Sequence, residues 1–215
     1  MLYEELKNKY IDNEKIELLL KDSEITVLDE FLENWETIRK FNKKMYGDKL
    51  PKTVLCGINP GKNGAGKTGI PFVDFTSLTK MIDGVDREDT ERSAQFFFDI
   101  VQEIGVEKFY RSFYVTNVSW IGYISGNKNV NYYDLPINVK QFVYEMFQYE
   151  MEVVKPTTII SLSGAVKETI SELFDNSNIN ISQQLPHPNY CAFPKNYDSC
   201  KKQYIDLLSK YTIEL

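Results

Sequence analysis

The stretch GINPGKNGAGKTGIPF, residues 57–72, emerges from the apolar run TVLCGI at 53–58 and decides how the rest of the chain is read. Gly61 through Thr68 fits G-x-x-x-x-G-K-[ST], the phosphate loop of nucleotide hydrolases, letter for letter. That loop works only when its Lys and Ser/Thr open a helix, whose first N–H groups and dipole hold the phosphates. Here Thr68 is followed by Gly69, Ile70 and Pro71. A proline that early removes an amide and clashes inside the first turns. A strand ending in a magnesium-holding aspartate is also required, and the later strand candidates end in TNVS and SLSG, with no acid. The stretch is therefore read as a buried strand followed by a glycine- and lysine-rich loop, with the nucleotide hydrolase kept only as a minor alternative.

Towards the N-terminus, Ile16, Leu19, Leu20, Val27, Leu28, Phe31, Leu32, Trp35 and Ile38 recur at three- and four-residue spacing. This predicts helix over residues 1–46, closed by Pro51. Towards the C-terminus the pattern predicts helices at 75–83, 92–104, 138–154, 165–174 and 196–211. Strands are predicted at 112–120, 157–164 and 179–185, from β-branched and aromatic runs bounded by breakers. Strands alternating with helices give an α/β class. The expected architecture is a three-layer α/β/α sandwich with a central, mostly parallel four-stranded sheet and an N-terminal helical extension. One domain is expected over 1–215, with a helical segment at 1–50 and an α/β core at 51–211. In such sheets ligands sit beyond the carboxyl ends of the strands. Three of those ends are chemically rich: INPG at 58–61, TNVSW at 116–120 and PHPNY at 186–190.

The chain has 215 residues, 42% of them hydrophobic, enough for a sizeable core. No run of eighteen apolar residues occurs, so no membrane partner is expected. The charged start MLYEELKNKY has no apolar h-region, so no secretory signal is read. Cys56, Cys191 and Cys200 are odd in number and suit neither a zinc site nor a disulfide framework. Reduced thiols, a cytoplasmic location and no metal are expected. The net charge of −6 weighs against a nucleic-acid partner, but its distribution weighs the other way. Residues 1–38 hold eleven acids and four bases, a balance of −7, whereas 39–67 hold eight bases and one acid, a balance of +7. A basic segment running into a glycine-rich loop suits a phosphate-bearing partner.

Taken whole, residues 57–72 resemble the first motif of the uracil-DNA glycosylase superfamily. In particular they resemble that of the single-strand-selective monofunctional uracil-DNA glycosylases, G-M-N-P-G-x-x-G-x-x-x-T-G-V-P-F. Gly57, Asn59, Pro60, Gly61, Gly64, Thr68, Gly69, Pro71 and Phe72 fall in register. FYVTNVSW at 113–120 resembles the strand carrying the family's base-reading asparagine, here Asn117. LPHPNY at 185–190 resembles its H-P-S-P motif, with His187 as the family histidine. The resemblance spans about residues 50 to 210. It departs after Pro188, where the family's H-P-S-P-x-N-P becomes HPNYCAFP, and Asn59 stands where the best-known uracil glycosylases carry a water-activating aspartate. Three scattered cysteines exclude the four-cysteine iron–sulfur cluster of some branches.

The resemblance implies a monofunctional DNA glycosylase of base-excision repair. It would hydrolyse the N-glycosidic bond of uracil, and of related deaminated bases, in DNA. It would act without cofactor, as a monomer with no obligate protein partner, on the bacterial nucleoid. The base must leave the stack, so Phe72 is expected to stack on it, and the Asn117 amide matches the O4 and N3–H edge of uracil. Pro60 and Gly61 would shape the base pocket, Gly61 by leaving room for close backbone approach. Asn59 is too weak a base to take a proton but can orient the attacking water. His187 would donate to O2 of the departing base. DNA contacts are expected from Lys62, Asn63, Lys67, the amides at Ser163 and Gly164, and Asn189, with Tyr190 and Phe193 as wedges. A module that binds damaged or single-stranded DNA without cleaving it is the alternative, disfavoured by the presence of Asn59, Asn117 and His187 together.

Overall fold

The computed structural model describes residues 2–12 and 14–214. The first part of the chain forms α1 (Leu2–Lys7), α2 (Lys15–Leu20), β1 (Ile25–Leu28), α3 (Trp35–Met45), β2 (Thr53–Gly57) and the single turn α4 (Ala65–Thr68). Then come α5 (Phe75–Thr79), α6 (Arg92–Ile104), α7 (Val106–Ser112), β3 (Phe113–Asn117), β4 (Gly122–Ser125) and β5 (Lys128–Val130). The last part forms α8 (Ile137–Val154), β6 (Thr158–Ser161), α9 (Gly164–Leu173), α10 (Pro188–Cys191) and α11 (Pro194–Leu208). Pro188 and Pro194 open their helices, where a missing N–H costs nothing and the fixed φ suits the first turn. Among the described residues no helix is long and apolar enough to cross a membrane.

The central sheet is parallel, in the order β3-β2-β6, with Thr53 beside both Phe113 and Thr158. Side chains alternate across it. Tyr114 and Thr116, on one face of β3, both donate to Glu150 of α8, at 2.8 and 2.7 Å. Phe113, on the opposite face, packs on Phe109 of α7 with ring centroids 5.1 Å apart. The sheet thus lies between two helical layers. Its β3 edge is covered by α3 and the turn after it: the outward N–H of Val115 donates to the Tyr46 hydroxyl at 3.2 Å, so this edge donor is satisfied.

Two expectations need correction. The sheet has three strands, not four. Residues 179–185 contribute only isolated parallel bridges, Thr158 with Asn180 and Ser161 with Gln184. Between those bridges this segment advances four residues while β6 advances three, so one residue bulges out of the ladder. The Asn180 side chain stabilises the bulge by accepting from the Ser182 N–H at 3.1 Å and the Ser182 hydroxyl at 2.8 Å. The second correction lies at 25–28, read as helix and found as β1. Ile25, Thr26 and Val27 are β-branched, and antiparallel pairing with β4 outweighs the spacing that Val27 and Leu28 share with Phe31 and Leu32. β1, β4 and β5 form a small antiparallel sheet in the order β1-β4-β5. Its β4–β5 hairpin, unforeseen from sequence, lies beside the glycine-rich loop.

Glu150 is buried at 1% exposure between α8 and the sheet. Burial is the main cause that pushes its carboxyl up, from 4.5 to about 7, against the two hydroxyl hydrogen bonds that favour the charged form. A raised folded pKa means that the group's contribution to stability is complete below the unfolded value and is lost as pH rises through about 7. Glu150→Gln keeps an oxygen acceptor for both hydroxyls and removes the titration. Urea denaturation at pH 6 and pH 8 should show the wild type losing roughly 1 kcal/mol more stability over that interval than the variant. Parallel pH dependence in the two proteins would refute the assignment.

Candidate active site

β2 and β3 end side by side, with Gly57 opposite Asn117. A β-carbon at Gly57 would lie 2.4 Å from Asn117 Oδ1 and 2.4 Å from Phe72 Cζ. The missing side chain is therefore the space in which Asn117 and Phe72 meet. Asn117 is only 3% exposed; its side-chain amide makes no hydrogen bond within the described residues, and what little of the residue is open lines the pocket. Phe72 adopts a left-handed backbone, φ 58°, which is strained for an aromatic residue. That conformation turns its ring onto Phe97 of α6, stacked at 4.8 Å and 24°. Asn117 and Phe72 border a pocket of about 400 Å³ that also receives Asn59, Pro60, Gly61 and His187.

Asn59 works as a surrogate peptide group. Its Oδ1 accepts from the Tyr132 N–H at 3.0 Å, and its Nδ2 donates to the carbonyls of Val130 at 3.2 Å and Pro60 at 3.3 Å. Both amide hydrogens are thereby used, and one lone pair of Oδ1 remains for a ligand. Nearby, Asn129 Oδ1 accepts from the Lys62 N–H at 3.1 Å. The loop thus runs along the end of the β4–β5 hairpin, fastened by two asparagine side chains. Gly122 permits this approach, because a β-carbon there would lie 2.3 Å from the Pro60 carbonyl oxygen.

His187 caps α10: its Nδ1 accepts the Asn189 N–H at 3.1 Å. In the neutral ring the proton then sits on Nε2. Burial lowers the imidazole pKa to about 4, so the ring is neutral at physiological pH. The ring stands 6.2 Å from that of Phe72. The pocket is thus given a hydrogen-bond donor without a positive charge.

The lysines fare differently from the motif residues. Lys62 Nζ donates to the Asn127 carbonyl at 2.6 Å and to the Asn127 side chain. Lys67 Nζ pairs with Asp89 at 3.1 Å, and Asp89 is also held by Arg87. The helix carrying Lys67 and Thr68 ends after four residues, at Gly69. Neither lysine lines the pocket. Asn63 is exposed. Ser163 caps α9 by accepting from the Val166 N–H at 3.2 Å, with Gly164 exposed beside it. Asn189 lines the pocket mouth, while Tyr190 and Phe193 stand out into solvent beyond it, 56% and 44% exposed.

Four further polar lining residues escaped sequence reasoning: Glu91, Ser93, Asn129 and Asn131. The alternation Asn127-x-Asn129-x-Asn131 was the available signal for the asparagines, since it sets three amides on one face of a strand. Glu91 carried no signal beyond a helix start: its side chain caps α6 by accepting from the Ala94 N–H at 3.1 Å.

The family model described as the Uracil DNA glycosylase superfamily matches residues 44–209. A solved structure, the wild-type SMUG2 of Pedobacter heparinus, superposes with a TM-score of 0.71 at 25% sequence identity. That likeness covers 91% of this chain and 94% of that one. No curated protein matches the chain. Gly57→Ala should destabilise the fold by about 1–3 kcal/mol, the usual cost of overpacking, because the new methyl group must displace Asn117 or Phe72. Wild-type stability of that variant in urea denaturation would show that the two side chains have room to spare.

Proposed function

From the premise that this chain belongs to the uracil-DNA glycosylase superfamily, DNA-repair hydrolases of base excision, we propose that it removes uracil from DNA by a monofunctional, water-dependent route. The observation that carries this reading is Asn117: a pocket-lining amide on a 3% exposed residue, with no partner among the described residues, beside an aromatic face held by a strained backbone. An amide that faces the pocket and is engaged by no protein group keeps both its donors and its acceptor for a ligand. Uracil supplies an acceptor at O4 and a donor at N3, the complement of a carboxamide. Stacking on Phe72 adds ~1–3 kcal/mol.

In the proposed step the C1′–N1 bond lengthens and its electron pair moves onto the base, where negative charge gathers at O2. The Nε2–H of neutral His187 donates to O2. A neutral donor suits the task, since it stabilises growing charge without having bound an anion in the ground state. Water held by the remaining lone pair of Asn59 Oδ1 adds to C1′ from the opposite face and loses its proton to solvent. No lysine lines the pocket among the described residues, which favours water over an amine as nucleophile. Deaminated bases other than uracil that offer the same donor–acceptor edge and carry no C5 methyl group belong to the proposed substrate class. DNA backbone contacts are proposed for Asn63, Ser163, Gly164 and Asn189, with Tyr190 or Phe193 filling the gap left by the base. Lys62 and Lys67 would reach phosphate only by leaving Asn127 and Asp89.

Single-turnover release of uracil from a defined oligonucleotide tests the reading. Asn59→Ala should suppress release with DNA affinity nearly unchanged, the signature of a group acting in the transition state. Asn117→Asp should lower it as well, because a carboxylate accepts but cannot donate to O4. His187→Ala should cost about 10²–10³-fold, the usual loss of one charge-stabilising donor. Wild-type rates in all three variants would overturn the assignment.

The pH dependence is a separate check. His187 is the sole histidine, so its ring resonance needs no assignment. With the folded pKa lowered to about 4, the resonance should titrate near pH 4 rather than 6.5. The stability that this neutral ring contributes is present above pH 6.5 and is lost as pH falls through about 4. A midpoint near 6.5 in the proton spectrum would contradict the buried, neutral donor.

A further inference from the structure

We infer that Glu91 and Ser93 form the wall that reads the C5 edge of a pyrimidine bound in this pocket; the inference rests on the function proposed above. Glu91 is the only acid among the residues lining the pocket, and no cation pairs with it among the described residues. Its carboxylate accepts from the Ala94 N–H and from the Ser93 hydroxyl, and Ser93 is itself 8% exposed. The carboxylate lies against the glycine-rich loop, where a β-carbon at Gly64 would come within 3.1 Å of Oε2. The next lining residue of that loop, Ala65, adds only a methyl group to the wall.

The assignment to C5 follows from the shape of the base. A pyrimidine stacked on Phe72 presents four in-plane directions. N1 leads to the sugar and so to the mouth, where the exposed Asn129 and Asn189 stand. N3 and O4 go to Asn117, and O2 goes to His187. The C5–C6 edge is left; Ile58 and Asn131 also line the pocket, but Glu91, Ser93 and Ala65 lie together at the α6 start and the loop packed against it, and the edge is assigned to them. These two polar residues start α6, the helix that also carries Phe97 beneath the Phe72 ring. The wall and the stacking platform are therefore parts of one rigid element.

A polar wall at C5 selects by desolvation. With hydrogen at C5, the carboxylate and hydroxyl keep their hydrogen bonds and room for water. A methyl group there would displace that water and bury a carboxylate against carbon, which is costly for a charged group. Thymine is rejected through this cost, whereas a hydrophobic pocket distinguishes one methyl group by only ~10–200-fold.

The test compares single-turnover release of uracil and thymine from otherwise identical single-stranded oligonucleotides by wild type, Glu91→Ser and Glu91→Gln. Serine keeps an N-cap oxygen for Ala94 and removes the carboxylate; glutamine keeps the volume and removes the charge. The uracil-to-thymine rate ratio should fall at least tenfold in Glu91→Ser and by less in Glu91→Gln, a change that loss of a cap alone does not produce. A ratio within twofold of wild type in a Glu91→Ser protein that melts cooperatively overturns the inference. Thymine release by that variant that stays undetectable overturns it equally. Should Glu91→Ser not fold, Glu91→Gln and Ser93→Ala decide, and unchanged ratios in both overturn it. A wild type that releases no uracil overturns the function proposed for the site, and this inference with it.

Discussion

The site depends on the absence of a side chain at Gly57. β2 is the central strand of the parallel sheet, flanked on both sides and buried on both faces, so its carboxyl end is held by strand pairing on either side. Ending that strand in glycine opens a space one side chain wide. Asn117 enters it from the neighbouring strand and Phe72 from the loop that follows. Neither is a loose surface group. One is held by strand register, and the other by a strained backbone stacked on Phe97. Rigid neighbours make such strain tolerable, and a precisely held aromatic face is what the strain obtains.

Asn59 shows how little a functional side chain need be free. Its amide bridges Val130 and Tyr132 as a peptide group would, fastening the loop to the β4–β5 hairpin. The allocation fixes the orientation of the remaining Oδ1 lone pair, so the anchoring and the proposed water contact are one arrangement. The hairpin therefore serves as a mould for the loop. Gly122 matters to it for the same steric reason that Gly57 matters to the base pocket.

Desolvation sets the electrostatics of both the core and the site. Burial holds His187 neutral and raises the carboxyl of Glu150, in each case by disfavouring the charged form. Close to the pocket the cations are already engaged, Lys62 with Asn127 and Lys67 with Asp89. The pocket is thus nearly free of formal charge except for Glu91. That suits recognition of a neutral base by direction of hydrogen bonds more than by Coulomb attraction.

The sequence by itself determined the alternation of strands and helices and the parallel central sheet, and it singled out Asn59, Phe72, Asn117 and His187, which the structure brings to one pocket. These were legible because parallel strands end on one side of a sheet, so motifs at successive strand ends converge whatever the loops do. It also indicated, through Pro71, that the phosphate-loop pattern could not extend into a helix, and the structure ends that helix at Gly69. Tertiary structure alone decided the rest. β1 is a strand because β4 pairs with it, although its apolar spacing also suits a helix. Residues 179–185 do not complete a fourth strand because the Asn180 side chain competes for the backbone. Lys67 is a basic residue in a glycine-rich loop by sequence and half of an ion pair by structure, since Asp89 is brought to it from 22 positions away. Glu91 and the hairpin asparagines line the pocket for a like reason. Which partner a polar side chain finds depends on segments distant in sequence, and its donors and lone pairs are allotted only once the chain has closed around them.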